Sequence, residues 1–277
     1  MLVNLKEILK IAEEKKIAIG SFNTPSMAAL KAIIKAAEET DTPVIIMHAQ
    51  VHEEMGLCVM EEIAPVMLMF AKRAKVPVCV HLDHGTDLDY VKRGLELGFT
   101  SVMYDGSLLT EEENIKNTKI IVEVAKKTNA SVEAEIGSMG AREGGGEGGE
   151  SVYTDPDAAK AFTEETGIDA LACAFGTAHG LYTKKPQLDF ERVEKINSMV
   201  SVPLVMHGGS GVSDEDFIRV IDLGIRKINY YTYMAKAAGT AVSEMEDKTF
   251  FHDMEVVAIE AMKENVKSAI KVFNKEI

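Results

Sequence analysis

Short apolar runs punctuate the chain at fairly even intervals, and most give way to an amphipathic stretch. They begin at Ile17 (IAIGSFN), Pro43 (PVIIMHA), Val76 (VPVCVHLD), Ser101 (SVMYDGS), Ser131 (SVEAEIG), Ala170 (ALACAFG), Val202 (VPLVMHG) and Lys227 (KINYYT). Each is too short for a helix and nearly unbroken in hydrophobicity, as strands covered on both faces are. The stretches between them have helical spacing. MAALKAIIKAAEE follows the first run, with Thr24-Pro25-Ser26 as its start signal. LDYVKRGLELG follows the third and stops at Gly98, a residue suited to the left-handed turn after a helix. EEENIKNTKIIVEVAKK is acidic at its start and basic at its end, as the helix dipole prefers. DPDAAKAFTEETG, DFERVEKINSM and DEDFIRVIDLG serve the next three runs, and a helical insert from Met60 to Ala74 separates the second run from the third. The N-terminal MLVNLKEILKIAEEKK reads as one amphipathic helix. Eight strands alternating with helices predict an α/β fold, a (β/α)8 TIM barrel. Residues 1–277 are expected to form this single domain, with a helical C-terminal extension from Tyr233 to Ile277 packed outside the barrel.

Charge narrows the partners. A formal net charge of -14 repels nucleic acid and anionic lipid, so neither is expected as a partner. A phosphate-bearing substrate would then need a local positive site. Cys58, Cys79 and Cys173 form no C-x-x-C pair, which fits free thiols in a reducing compartment. No apolar run reaches the length of a membrane span, and the N-terminus lacks signal-peptide features. A cytoplasmic protein is expected.

The polar residues of the strands gather at their C-terminal ends: Asn23, His48, Asp83 with His84, Asp105, Glu133 with Glu135, His207 and Asn229. In a barrel these ends share one rim, where the chemistry of this fold sits. His84, His179 and His207 each adjoin a glycine, in DHG, AHG and MHG, and follow strands three, six and seven. Three imidazoles with an open position suit catalytic zinc. A lone histidine is more often structural, and His52 and His252 are read that way. His81 is placed at the buried end of its strand, and His48 fits a rim contact or a structural role equally. The glycine-rich GAREGGGEGGES follows strand five, where a mobile lid over the site is expected.

HLDHG, VEAEIG, GTAHGLY, HGGSGV and KIN, in this order, resemble the class II, metal-dependent ketose-bisphosphate aldolases, which act on fructose or tagatose 1,6-bisphosphate. The resemblance spans nearly the whole chain. It implies zinc (Zn2+) on His84, His179 and His207, with Asp105 and Glu135 at a second or alternate metal position. It implies that Asp83 is the acid/base at the C4 hydroxyl and Glu143, in the glycine-rich loop, the base at the enediolate carbon. Gly180, Lys184, Gly208, Gly209, Ser210, Asn229 and Thr232 would cradle the dihydroxyacetone phosphate half, with a monovalent cation (Na+ or K+) beside the same backbone. The implied reaction is reversible aldol cleavage of a ketose 1-phosphate or 1,6-bisphosphate to dihydroxyacetone phosphate and an aldehyde. A homodimer or homotetramer is expected.

Elementary chemistry agrees. Breaking a carbon–carbon bond beside a carbonyl leaves an enediolate, stabilised by a Schiff-base lysine or a Lewis-acid metal. The strand interiors read as free of lysine, with Lys227 at the wrong end of strand eight. The backbone of HGGSG is a plausible phosphate nest. Three features depart from the family's pattern. No arginine occurs from Ile228 to Ile277, where these enzymes carry one for the second phosphate. Strand eight ends in NYYTY, so Tyr230 and Tyr231 alter the pocket wall or phosphate loop, and the second strand offers His48 and Gln50 in place of a hydroxyl. A substrate without a 6-phosphate is therefore expected, and fructose 1,6-bisphosphate should be a poor one. Two rivals remain: a noncatalytic aldolase-like subunit, which should have lost metal ligands, and a metal-dependent hydrolase, which commonly has an H-x-H on the first strand that IAIGSFN lacks.

Overall fold

A computed structural model describes residues 1–138, 152–180 and 186–276. Eight parallel strands close into a barrel: β2 (Ile19–Asn23), β3 (Val44–Ala49), β4 (Val78–Gly85), β5 (Ser101–Tyr104), β6 (Ser131–Ile136), β7 (Ala170–Cys173), β8 (Leu204–Met206) and β9 (Ile225–Asn229). Each pairs with its sequence neighbours, and β9 pairs with β2 to seal the cylinder. These are the eight runs read from the sequence. A ninth strand, β1 (Leu2–Val3), adds to the foot of β4. The N-terminus was read as helix throughout. Instead Asn4 caps α1 (Leu5–Lys15) through a reciprocal bond with Glu7, which leaves Leu2 and Val3 extended.

The outer layer is α2 (Met27–Glu39), α4 (Met60–Arg73), α5 (Leu88–Glu96), α6 (Glu111–Ala125), α7 (Pro156–Thr166), α8 (Phe190–Met199) and α9 (Asp214–Asp222). A short α3 (Gln50–Glu54) caps the β3 end, and α10 (Thr232–Ser243) and α11 (Phe251–Phe273) complete the chain. Local signals start and stop these helices as the sequence suggested. Ser26 accepts from the Ala29 N–H, and Gly98 follows α5 at φ +95°. The C-terminal α11 lies along α2, where Lys263 and Lys267 reach Glu39 at 3.1 and 2.9 Å.

The barrel interior is divided by height. Its lower part is apolar: Ile19, Ile45, Cys79, Met103, Ala170 and Val205 pack against Leu5, Ile8, Leu9 and Ala12 of α1, which stoppers the N-terminal mouth. Above this plug the interior turns polar, with His81, Glu133, Lys227 and His207 all fully buried. The second core, between strands and helices, is where the aliphatic residues of the outer strand faces lie.

Candidate functional site

The site begins at the end of β4. Alternation would send Asp83 and His84 to opposite faces of a regular strand. Here the β4–β5 register breaks between Leu82 and Gly85, and His84 takes φ +45°. That left-handed residue turns its imidazole toward the barrel axis beside Asp83. Gly85 is required next to it, since a Cβ there would lie 2.4 Å from Val91.

Three imidazoles meet above the axis. His84 Nε2 lies 3.2 Å from His179 Nε2 and 2.8 Å from His207 Nδ1. Tetrahedral ligands about 2.05 Å from zinc sit roughly 3.3 Å apart. Carboxylates hold the far nitrogens of two rings. His84 Nδ1 donates to Asp105 Oδ2 at 2.9 Å, and His207 Nε2 donates to Glu133 Oε1 at 2.8 Å. Both bonds turn a lone pair toward the common centre, the arrangement that metal-ligating histidines adopt.

The field there calls for a cation. Among the described residues, Asp83, Asp105, Glu133 and Glu135 are four carboxylates against one lysine, Lys227. Burial opposes charge on His84, but Asp83 and Asp105 outweigh it and push the imidazole up to about 10. Burial and the nearby Asp105 push the Glu135 carboxyl well above its usual range. Its Oε2 is buried without a hydrogen-bond partner among the described residues, 3.7 Å from His207 Nδ1. His84, His179 and His207 form one group able to hold a metal ion, and His84, Asp105 and Glu135 a second. In this conformation Asp105 is occupied as the orienting partner of His84, and its Oδ1 accepts from the backbone and side chain of Ser107. The donor set fits zinc.

Asp83 lies beside the imidazoles, its Oδ1 3.9 Å from His84 Nε2. Asn229 Nδ2 donates to one carboxylate oxygen at 3.0 Å and Asn23 Nδ2 to the other at 3.1 Å. Burial works against the ionised form, but the charges of His84, His207 and Lys227 prevail and hold it below the usual carboxylate range.

A narrow cleft opens over Asp83 and His179. Gly180, Gly208, Gly209, Ser210, Asn229 and Thr232 border it, as do Tyr230 and Tyr231. Gly208 has φ +66°, and a Cβ there would lie 2.2 Å from the Ala178 carbonyl oxygen, so two loop backbones touch at this point. Ser210 Oγ accepts from Tyr231 N at 3.3 Å. Tyr230 borders the cleft, but not with the face of its ring. Its ring packs outward between Phe22 and Phe273, with centroids at 6.1 Å from each, and its hydroxyl meets Asn265. Tyr231 forms part of the wall, its ring tilted at 59° to that of the buried His52 of α3 with centroids 4.8 Å apart. Glu143 and Lys184 lie outside the described residues, as does the whole glycine-rich segment, residues 140–151, with the lid expected there.

Several residues take roles the sequence did not disclose. His48 points outward from the barrel to Tyr90 Oη at 3.0 Å, so it ties β3 to the helical layer. Gln50 Oε1 accepts from Thr86 N and pins α3 beside the His84 turn. Lys227 corrects the reading of the strand interiors. It is not at the wrong end of its strand but inside the barrel, two residues before Asn229 on the same face of β9, with its Nζ held by Glu133 and Asn229. Glu133 likewise lies one layer below the rim. The signal was the alternation itself: Lys227 with Asn229, and Glu133 with Glu135, share a strand face.

A solved structure of the YdjI aldolase from Escherichia coli K12 superposes with a TM-score of 0.88 at 40% identity, covering 99% of this chain and 97% of that one. A 6-phospho-5-dehydro-2-deoxy-D-gluconate aldolase of Halalkalibacterium halodurans is 39% identical over 98% of this chain and 96% of its own. A fructose-bisphosphate aldolase of Staphylococcus aureus is 37% identical over 98% and 97%. The description "Fructose-bisphosphate aldolase class-II" matches residues 3–276, and the chain belongs to that family.

Proposed function

We propose that the protein is a zinc-dependent class II aldolase that reversibly cleaves a ketose 1-phosphate, or a 1,6-bisphosphate, to dihydroxyacetone phosphate and an aldehyde. One observation carries the reading: an ionised aspartate clamped by two amides stands directly beside three converging imidazole nitrogens. His84, His179 and His207 would hold the metal, which when bound supplies Lewis-acid polarisation of the substrate's carbonyl and neighbouring hydroxyl. The remaining chemistry belongs to the chain. Asp83 takes the proton from the C4 hydroxyl during cleavage and returns it to the aldehyde oxygen in condensation. Asn23 and Asn229 hold both of its oxygens, so the carboxylate meets the substrate in one orientation. Backbone N–H groups around Gly208 and Gly209, with Ser210, Gly180 and Thr232, would receive the phosphate, with Lys184 as its counter-charge and Na+ or K+ beside the same backbone. Glu143 would exchange the proton on the enediolate carbon.

The aldehyde half is the finer part of the proposal. No arginine follows residue 227, so a second phosphate lacks the bidentate partner that planar guanidinium provides. Relatives named for different sugar acids and sugar phosphates share this frame. We take the preferred substrate to be a ketose 1-phosphate whose far end carries no phosphate. Zinc is preferred to other metals by the nitrogen-rich ligand set. A homodimer or homotetramer in the cytoplasm completes the proposal, and sedimentation of the purified protein tests the assembly.

Release of dihydroxyacetone phosphate from a panel of ketose phosphates, with chelator and after zinc is restored, tests the reaction. Release that stops with chelator and returns with zinc is expected, with 1-phosphates ahead of 1,6-bisphosphates. No release from any sugar by metal-loaded protein would favour a noncatalytic subunit or a hydrolase. A catalytic efficiency on fructose 1,6-bisphosphate of about 10⁶ M⁻¹s⁻¹ or more would refute the substrate preference.

A further inference from the structure

Lys227 is fully buried in the barrel, and its ammonium joins two branches of the site. Nζ lies 3.1 Å from Glu133 Oε1, its hydrogen-bond acceptor, and 2.9 Å from Oε2 across the same ion pair. It also donates to Asn229 Oδ1 at 2.7 Å. An ammonium has three donors and no acceptor, so whatever it touches must accept. On the first branch, Glu133 Oε1 accepts from Lys227 and also from His207 Nε2. His207 must then carry its proton on Nε2, which leaves the Nδ1 lone pair facing His84. On the second branch, the Asn229 oxygen turns to Lys227, so the amide nitrogen turns to Asp83. A flipped amide would set an oxygen against the carboxylate.

We propose that Lys227 is a positioning residue for both halves of the reaction: it dictates which nitrogen of His207 faces the metal position and which end of the Asn229 amide faces Asp83. This rests on the zinc aldolase reading. It also explains why a lysine in an aldolase barrel is no Schiff-base nucleophile: its nitrogen is engaged by Glu133 and Asn229, beneath the cavity.

The test is zinc affinity by competition with a chromophoric chelator, together with kcat at saturating zinc. Wild type is measured first; absence of zinc binding there sinks the metal reading itself. Lys227→Met keeps the length and apolar stem but removes the donors. Its zinc affinity should fall about 10- to 100-fold, the usual effect of losing an outer partner of a metal ligand. In K227M/E133Q no unpaired carboxylate charge is left buried beside His207, and the glutamine oxygen accepts from His207 Nε2. Zinc affinity should then recover by at least about tenfold over K227M, while kcat stays low because Asn229 is unanchored. Such rescue of one branch alone would not follow if Lys227 merely filled space. K227M with affinity and kcat within about threefold of wild type, or a double variant no better than K227M at binding zinc, would overturn the proposal. If K227M does not fold, K227M/E133Q is compared with E133Q, since neutralising both members of a buried pair is often tolerated. At least about a tenfold lower kcat in the double variant is expected, and equal values overturn the Asn229 branch.

Discussion

An aspartate gripped by amides on both oxygens can change its proton but hardly its place. Asp83 is such a residue, so its removal should separate chemistry from metal holding. Asp83→Ala should lower kcat by about 10²- to 10⁴-fold, the usual range for a lost acid/base. Zinc content should stay near one per chain, because His84 and His207 have their own orienting partners in Asp105 and Glu133. Loss of zinc in step with activity would place Asp83 among the ligand supports instead. At this scale much was legible. HLDHG, AHG and MHG pointed to the imidazoles because each histidine adjoins a glycine at a strand end. The buried supports were less visible. Glu133 looked like another rim carboxylate, and Lys227 looked like the first residue of a strand, because a one-letter string shows no depth within a barrel.

The elements place these side chains by being irregular where it matters. β4 breaks register before Gly85, and the loop after β8 runs against the loop after β7 at Gly208. Gly208→Ala therefore puts a methyl group into the Ala178 carbonyl and a side chain at φ +66°. We expect a loss of roughly 1–3 kcal/mol of stability, with a raised KM for the phosphate-bearing substrate, checked by urea unfolding and steady-state kinetics. Wild-type values for both would mean the two loops are free to part. The alternation of strands and helices was readable over the whole chain, because hydrophobic runs and capping residues are local signals. β1 and the outward turn of the Tyr230 ring were not. The first depends on what lies beside the foot of β4, and the second on α11 bringing Phe273 to the barrel from the far end of the chain.

Burial of polar groups gives the whole molecule a pH signature. His48 is held down at about 4 and His81 at about 3, in each case mainly by burial. Both charge near 6.5 once unfolded, so the unfolded chain binds more protons between those values. The stability these neutral imidazoles contribute is complete above about 6.5 and is lost as pH falls toward 4. At pH 5 this amounts to about 2 kcal/mol for each. Urea midpoints should drop between pH 7 and pH 5, and His48→Gln, which cannot titrate, should drop less. Equal drops would show that His48 titrates alike in the folded and unfolded chain.

The α1 stopper makes the barrel a well with one mouth. On the proposed reading, metal, sugar and proton would all pass the rim that Gly208, His179 and Tyr231 border, with the mouth below closed by α1. Traffic is then single file: while a sugar phosphate occupies the cavity, the metal beneath it has no way out. Saturating substrate analogue should therefore slow the stripping of zinc by chelator, even where it leaves the affinity for zinc unchanged.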